Sequence, residues 1–210
     1  MKLKKLASLC ANANTFHLYD RVDDDGAVEQ WLGDERCAYP LHGLPVLTEE
    51  ELFRMFDVPE KRQEKLYFKH CDLPEEVNVE DFCHGEMRAM DMGMTISGGG
   101  KVLLPLCYSG GMLYIQSKYL APLEDEQDFL SFHVRTSAIG ARYVVVKSGL
   151  LTAAIIFPVV IKDERFCDKL DELARLTRQE MEKAKTAVPA EKDEGQEDIF
   201  KDQESGDGEA

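Results

Sequence analysis

The residues with the widest chemical reach form two adjacent pairs, His70-Cys71 and Cys83-His84, separated by eleven residues. Imidazole and thiolate are the ligand types of structural zinc. The spacing matches no common zinc finger, however. Neighbours on extended chain point to opposite sides, so four such groups do not converge on one ion without a sharp turn. The plain alternative is a polar loop with two half-buried thiols. Cys83 and Cys107 are also candidate thiol nucleophiles, but nothing local activates either one, and a buried cysteine packs as a small hydrophobe. Met90, Met92, Met94 and Ile96 alternate with period two, which predicts a half-buried strand packed with thioethers. The same thioethers are soft ligands of the kind that select Cu(I). His17, His42 and His133 stand alone, and His17 and His133 fall in predicted strands. With 40 carboxylates in the chain, carboxylate pairs arise by chance, so none is singled out.

Three further patterns fail on spacing. "SGGGKVLLPLC", residues 97–107, brings a glycine before Lys101. A phosphate-gripping loop needs a first glycine where Thr95 stands and a Ser or Thr where Val102 stands, and it must open a helix. The β-branched, aliphatic run after Lys101 reads as a strand, so the glycines read as a turn. No helix follows them to complete a dinucleotide fingerprint either. Ser109 lacks the first glycine of a nucleophile elbow, its place being taken by Cys107. The Asp23–Gly26 run places Arg21 and Leu32 where a calcium loop needs acids, and it reads instead as hairpin-turn chemistry.

The elements that must position these groups follow from periodicity. Residues 2–11 predict a short helix with Leu3, Leu6 and Leu9 on one side, followed by strands over Thr15–Arg21, Ala27–Leu32 and Arg36–Leu41. Thr48 and Glu51 stand at capping-box spacing before a helix that buries Leu52, Phe53, Met55 and Phe56. Asp57 and Pro59 restart a second helix to about Phe68, and residues 70–86 read as irregular. Residues 88–161 read as mostly antiparallel strands. From Asp163 to about Ala187 a helix carries one stripe, Phe166, Leu170, Leu173, Leu176, Met181 and Ala184. That stripe needs a surface to cover, either the sheet or a partner chain.

The predicted fold is α+β: a mainly antiparallel sheet with short N-terminal helices, a covering C-terminal helix and a disordered acidic tail. The organisation expected is an N-terminal α+β segment over 1–86, antiparallel sheet plus helix over 87–188, and a tail over 189–210. After Pro189 hydrophobicity collapses.

The 210 residues carry a formal charge of −15, of which residues 190–210 hold −7 and residues 1–189 the remaining −8. A body this acidic repels phosphate backbones, which argues against direct nonspecific nucleic-acid binding. No apolar run reaches the roughly 18 residues of a membrane span. The start resembles no signal peptide, and six scattered cysteines fit reduced thiols. A cytoplasmic protein is expected, with no membrane partner and no cofactor.

The tail contains Gln196, Asp198, Ile199 and Phe200. The pattern resembles the short peptide by which bacterial replication proteins dock on the DNA sliding clamp, with Glu197 departing from the preferred leucine. Two apolar anchors in a polar tail suit a groove on a partner. Residues 112–161 also resemble the closing half of a sliding-clamp domain, on "MLYIQSKYLAPL" and the aliphatic "LLTAAIIFPVVI" with its single proline. The resemblances imply a non-enzymatic, protein-binding accessory factor acting near DNA replication through a bacterial sliding clamp, with Gln196, Asp198, Ile199 and Phe200 as contact residues, and the acidic, compact character suits one encoded by a phage or mobile element. The rival readings are a metal-assisted or thiol hydrolase using His70, Cys71, Cys83, His84 or Cys107, and a virion or structural assembly protein. A homo-oligomer fits either binding role.

Overall fold

The computed structural model describes residues 1–22, 25–98 and 100–187. Helix α1 (Leu3–Ala13) buries Leu6, Leu9, Cys10 and Ala11 and ends at Asn14, whose left-handed backbone (φ 54°) suits a short polar side chain. Three strands follow, β1 (Thr15–Val22), β2 (Val28–Asp34) and β3 (Cys37–Pro40). Helix α2 (Glu49–Met55) carries the full capping box: Thr48 and Glu51 each accept the other's backbone N–H. Short helix α3 (Glu60–Gln63) leads to β4 (Tyr67–Asp72). Then come β5 (Met87–Asp91), β6 (Ile96–Gly98), β7 (Lys101–Tyr108) and β8 (Gly111–Gln116). A run of 3₁₀ turns (Ser117–Phe129) buries Tyr119 and Leu123 and delivers the chain to β9 (Leu130–Thr136), β10 (Arg142–Ser148) and β11 (Leu151–Ile156). Helix α4 spans Glu164–Ala187.

The fold class is the predicted one, α+β on a mostly antiparallel sheet. The strand order is β4-β1-β2-β3-β11-β10-β9-β5-β7-β6, with β8 on the other edge of β7. Ile155 and Ile156 of β11 pair with Ala38 and Cys37 of β3, so the N-terminal hairpin and the later strands share one sheet. The chain forms two compact units that divide after Val160, the described part of the second being residues 161–187 with α4. Leu173, Leu176 and Met181 of the predicted stripe stand 61%, 45% and 57% exposed.

Two faces of the sheet are packed. The larger core gathers Leu6, Leu9, Phe16, Leu18, Leu32, Tyr39, Leu52, Phe53, Leu106, Ile115, Val144 and Val146 under α1, α2 and the 3₁₀ run. On the opposite face Trp31, Ala38, Tyr143, Val145 and Ile155 pack beneath Leu73, Val77 and Val79. Residues 73–86, read as an irregular loop, therefore form a cover for that face.

Three local expectations need correction. The second helix ends at Gln63 rather than near Phe68, because Tyr67–Asp72 is strand β4, parallel to β1 from Thr15↔Tyr67 to Asp20↔Asp72. The Tyr67 N–H donates to the Asn14 carbonyl at 2.9 Å and sets that register. The methionine strand is broken: β5 ends at Asp91, Gly93 turns with φ +67°, and β6 begins only at Ile96. Nor are those methionines half-buried. They face outward, as described below. The glycine run closes the β6–β7 hairpin, with Gly98 opposite Lys101 and Gly100 at φ +73°. Lys101 thus begins a strand, as its sequence context predicts.

Candidate functional site

The register of three strands builds the most distinctive surface. Met90 of β5 lies opposite Cys107 of β7, and Cys107 lies opposite Met112 of β8. Directly opposed residues in an antiparallel ladder share a face, so the three sulfur side chains form one cross-strand row. Along β7, Leu104, Leu106 and Tyr108 point into the core, while Cys107 alternates onto the other face. Met90 is 65% exposed, Met112 46%, and Met92 and Met94 in the adjoining turn 42% and 55%. Two residues along, Pro105 lies opposite Tyr114 on the same face, but Pro105 is buried and Tyr114 half-buried, so the exposed row stops there. This is the same sheet face that residues 73–86 cover over the earlier strands. Beyond β5 the Leu73–Glu86 cover has ended, and the methionines stand uncovered.

At the border between covered and uncovered sheet lies a network of charged groups. The Glu86 carboxylate accepts two bonds from Arg135, from Nε at 2.9 Å and from an Nη at 2.6 Å. It also accepts one bond from the Lys147 ammonium. His133 Nδ1 lies 3.2 Å from Oε1, the oxygen that also accepts from Lys147, while both Arg135 bonds go to Oε2. Arg135 is buried, and its remaining donors reach the Asn78 carbonyl and side-chain oxygen at 3.0 and 3.1 Å. Tyr143 binds Asn78 through the same backbone carbonyl and accepts from the Asn78 N–H. Asp81 accepts the Thr152 N–H at 2.6 Å. Together these bonds lash the cover to β9, β10 and β11. Burial raises the Glu86 carboxyl, but the Lys147 and Arg135 bonds outweigh it and hold the group below its ordinary value. Burial lowers the His133 imidazole, which Glu86 opposes and the neighbouring Lys147, Arg135 and Arg88 reinforce.

Ser131 Oγ lies 3.1 Å from His133 Nε2. With Nδ1 toward Glu86, the serine, histidine and carboxylate stand in the order of a nucleophilic triad. Two features set this chain apart from a working one. The Glu86 oxygens are shared with Arg135 and Lys147, and β9 is an interior strand between β5 and β10, whose N–H groups serve the ladders rather than an oxyanion hole.

The zinc-type pairs are not brought together. His70 and Cys71 are successive residues of β4, and His70 Nε2 bonds Asp20 Oδ2 at 2.8 Å. Cys83 lies in the cover with its thiol 3.8 Å from the His84 carbonyl oxygen, and His84 is exposed. Among the described residues, no three His, Cys, Asp or Glu side chains are grouped to hold a metal. Cys107 belongs to the methionine row. Cys10 and Cys37 are buried, and burial pushes both thiols well up, away from the reactive thiolate. His17 is a buried strand histidine whose Nδ1 meets the Tyr19 hydroxyl at 2.9 Å. The tail residues Gln196, Asp198, Ile199 and Phe200 lie outside the described residues.

Periodicity missed Glu86, Arg135 and Lys147. The available signal was the alternation Ser131, His133, Arg135 along β9, with Lys147 inside an otherwise apolar β10: polar groups recurring on one face of interior strands. No family model, no curated protein and no solved structure matches the chain. No described helix is long and apolar enough to cross a membrane.

Proposed function

We propose that this protein is a non-enzymatic accessory factor that works in the cytoplasm by binding other proteins, its partner near DNA replication being a bacterial sliding clamp. The carrying observation is the uncovered row of Met90, Cys107 and Met112, with Met92 and Met94 beside it. Methionine is flexible and polarisable, and surfaces lined with it adapt to apolar partners. The tail residues Gln196, Asp198, Ile199 and Phe200 supply the clamp-type anchor in this reading.

Calorimetric titration of a purified bacterial clamp tests it. Binding by the full chain, lost on deleting 190–210 and in the double variant Ile199→Ala/Phe200→Ala, is expected. Equal binding by altered and unaltered chains, or none by either, removes the clamp reading. A hydrolytic reading has one observation in its favour, the Ser131–His133–Glu86 chain. It predicts that a fluorophosphonate probe attaches to Ser131 and that His133→Gln prevents it. Unlabelled protein and the absence of esterase activity would dismiss that reading.

A further inference from the structure

Methionine and cysteine share a chemistry that packing does not use: both present sulfur as a soft electron-pair donor. Three strands bring such donors into one row. Cys107 of β7 stands in the middle, with Met90 of β5 directly opposite on one side and Met112 of β8 directly opposite on the other. Opposed Cβ atoms in a ladder lie about 4.5–5.5 Å apart. A methionine carries its sulfur beyond Cβ on a chain with several rotatable bonds, so both thioethers can swing over the Cys107 thiol from opposite sides. Met92, two residues after Met90, donates its N–H to the Pro105 carbonyl at 3.2 Å and stands beside the row. Cys107 is a free, half-buried thiol, and the methionines are exposed, so the row is open to solutes.

The donors select the ion. From β5 through β7 to β8 every side chain of the row carries sulfur. Asp91 alternates off the row and accepts the Gly93 N–H at 2.8 Å. The imidazole of His133, across from Arg88, is engaged with Glu86 and Ser131. Hard cations need oxygen ligands, and structural zinc needs a full set of thiolate, imidazole or carboxylate groups. One thiolate with thioethers on either side is a set for Cu(I), which soft sulfur donors select. The charges agree. Cys107 binds as the thiolate and releases its proton. Thiolate and Cu(I) together are neutral, so the complex sets no new positive charge near Arg88, which precedes Met90 by two residues on β5.

We infer that the Met90–Cys107–Met112 row is a Cu(I) site, with Met92 as an additional thioether ligand. Cu(I) binding here needs neither the tail nor a clamp, so it is separable from the clamp reading.

Anaerobic titration of the reduced full chain with Cu(I), in competition with the chromophoric chelator bicinchoninate, tests the site. Cys71, Cys83 and Cys167 are replaced by serine, which leaves Cys107 with the buried Cys10 and Cys37. A single equivalent of Cu(I) should pass from the chelator to the protein. The methyl NMR signals of Met90 and Met112 should shift as it does, while that of Met55 stays fixed. Met90→Leu/Met112→Leu and, separately, Cys107→Ser should each weaken binding at least about tenfold, since even changes outside the ligand set cost a metal site that much. Thermal unfolding without metal is measured alongside to show that both variants are folded. No uptake by the chain with the intact row, or equal uptake by the methionine variant, overturns the proposal.

Discussion

Glu86 is one carboxylate placed against two buried or nearly buried cations, with a histidine at hydrogen-bonding distance. Removing it strands Arg135 and Lys147 beside each other without their counter-charge. Breaking a buried pair from one side costs about 3 kcal/mol or more, so Glu86→Gln should lower unfolding stability by roughly that amount in urea titration. A loss under about 1 kcal/mol would mean that the network does not anchor the 73–86 cover. The pH response has a definite sign. His133 and His17 are both held below the ordinary histidine value of 6.5, by burial first. Below that value the unfolded chain takes up protons that the folded chain refuses, so stability is full above it and falls as the medium is acidified. Glu86, held below 4.5, adds a loss of the same sign further down, as pH falls through its folded value. Melting temperature should therefore drop from about pH 7 to about pH 5, and His133→Gln should remove part of that drop. An unchanged slope in the variant would contradict the assignment. At this scale the sequence was least legible. His133 looked isolated because its partner Glu86 is 47 positions away in the chain, and only the β5–β9 and β9–β10 registers bring the network together.

Elements were legible where their signals were local. Thr48 and Glu51 announced α2, and the glycine run announced the β6–β7 hairpin, because caps and turns are read from residues a few positions apart. Strand β4 was hidden by the helix signal at Pro59. It forms because Tyr67 and Phe68 extend alongside β1, a contact that no local pattern reveals. The β2–β3 turn depends on one close approach. A Cβ on Gly33 would run into the backbone carbonyl of Cys37, where the two strands cross tightly. Gly33→Ala should then cost about 3 kcal/mol or more in thermal or denaturant unfolding, and a near-neutral effect would show that the turn relaxes. The methionine row predicts the opposite behaviour. Met90→Ser/Met112→Ser should leave stability within about 0.5 kcal/mol, as expected for exposed positions. It should weaken partner binding at least about tenfold, since burying one such side chain contributes about 1.5–3 kcal/mol.

Across the whole molecule, fold class was legible but strand order was not. Alternation and turn chemistry mark strands one at a time, whereas the joining of β3 to β11 pairs residues more than a hundred positions apart. The same long-range pairing ends the 73–86 cover at β5, and beyond it Met90 and Met112 stand exposed at the edge where binding is proposed. The measurement that tests this most directly is the methyl NMR spectrum of methionine-labelled protein during titration with a bacterial sliding clamp. The methyls of Met90, Met92, Met94 and Met112 should shift and broaden together while that of Met55, beside the α1 core, stays fixed. Saturating binding with the four exposed methyls unmoved would contradict the account.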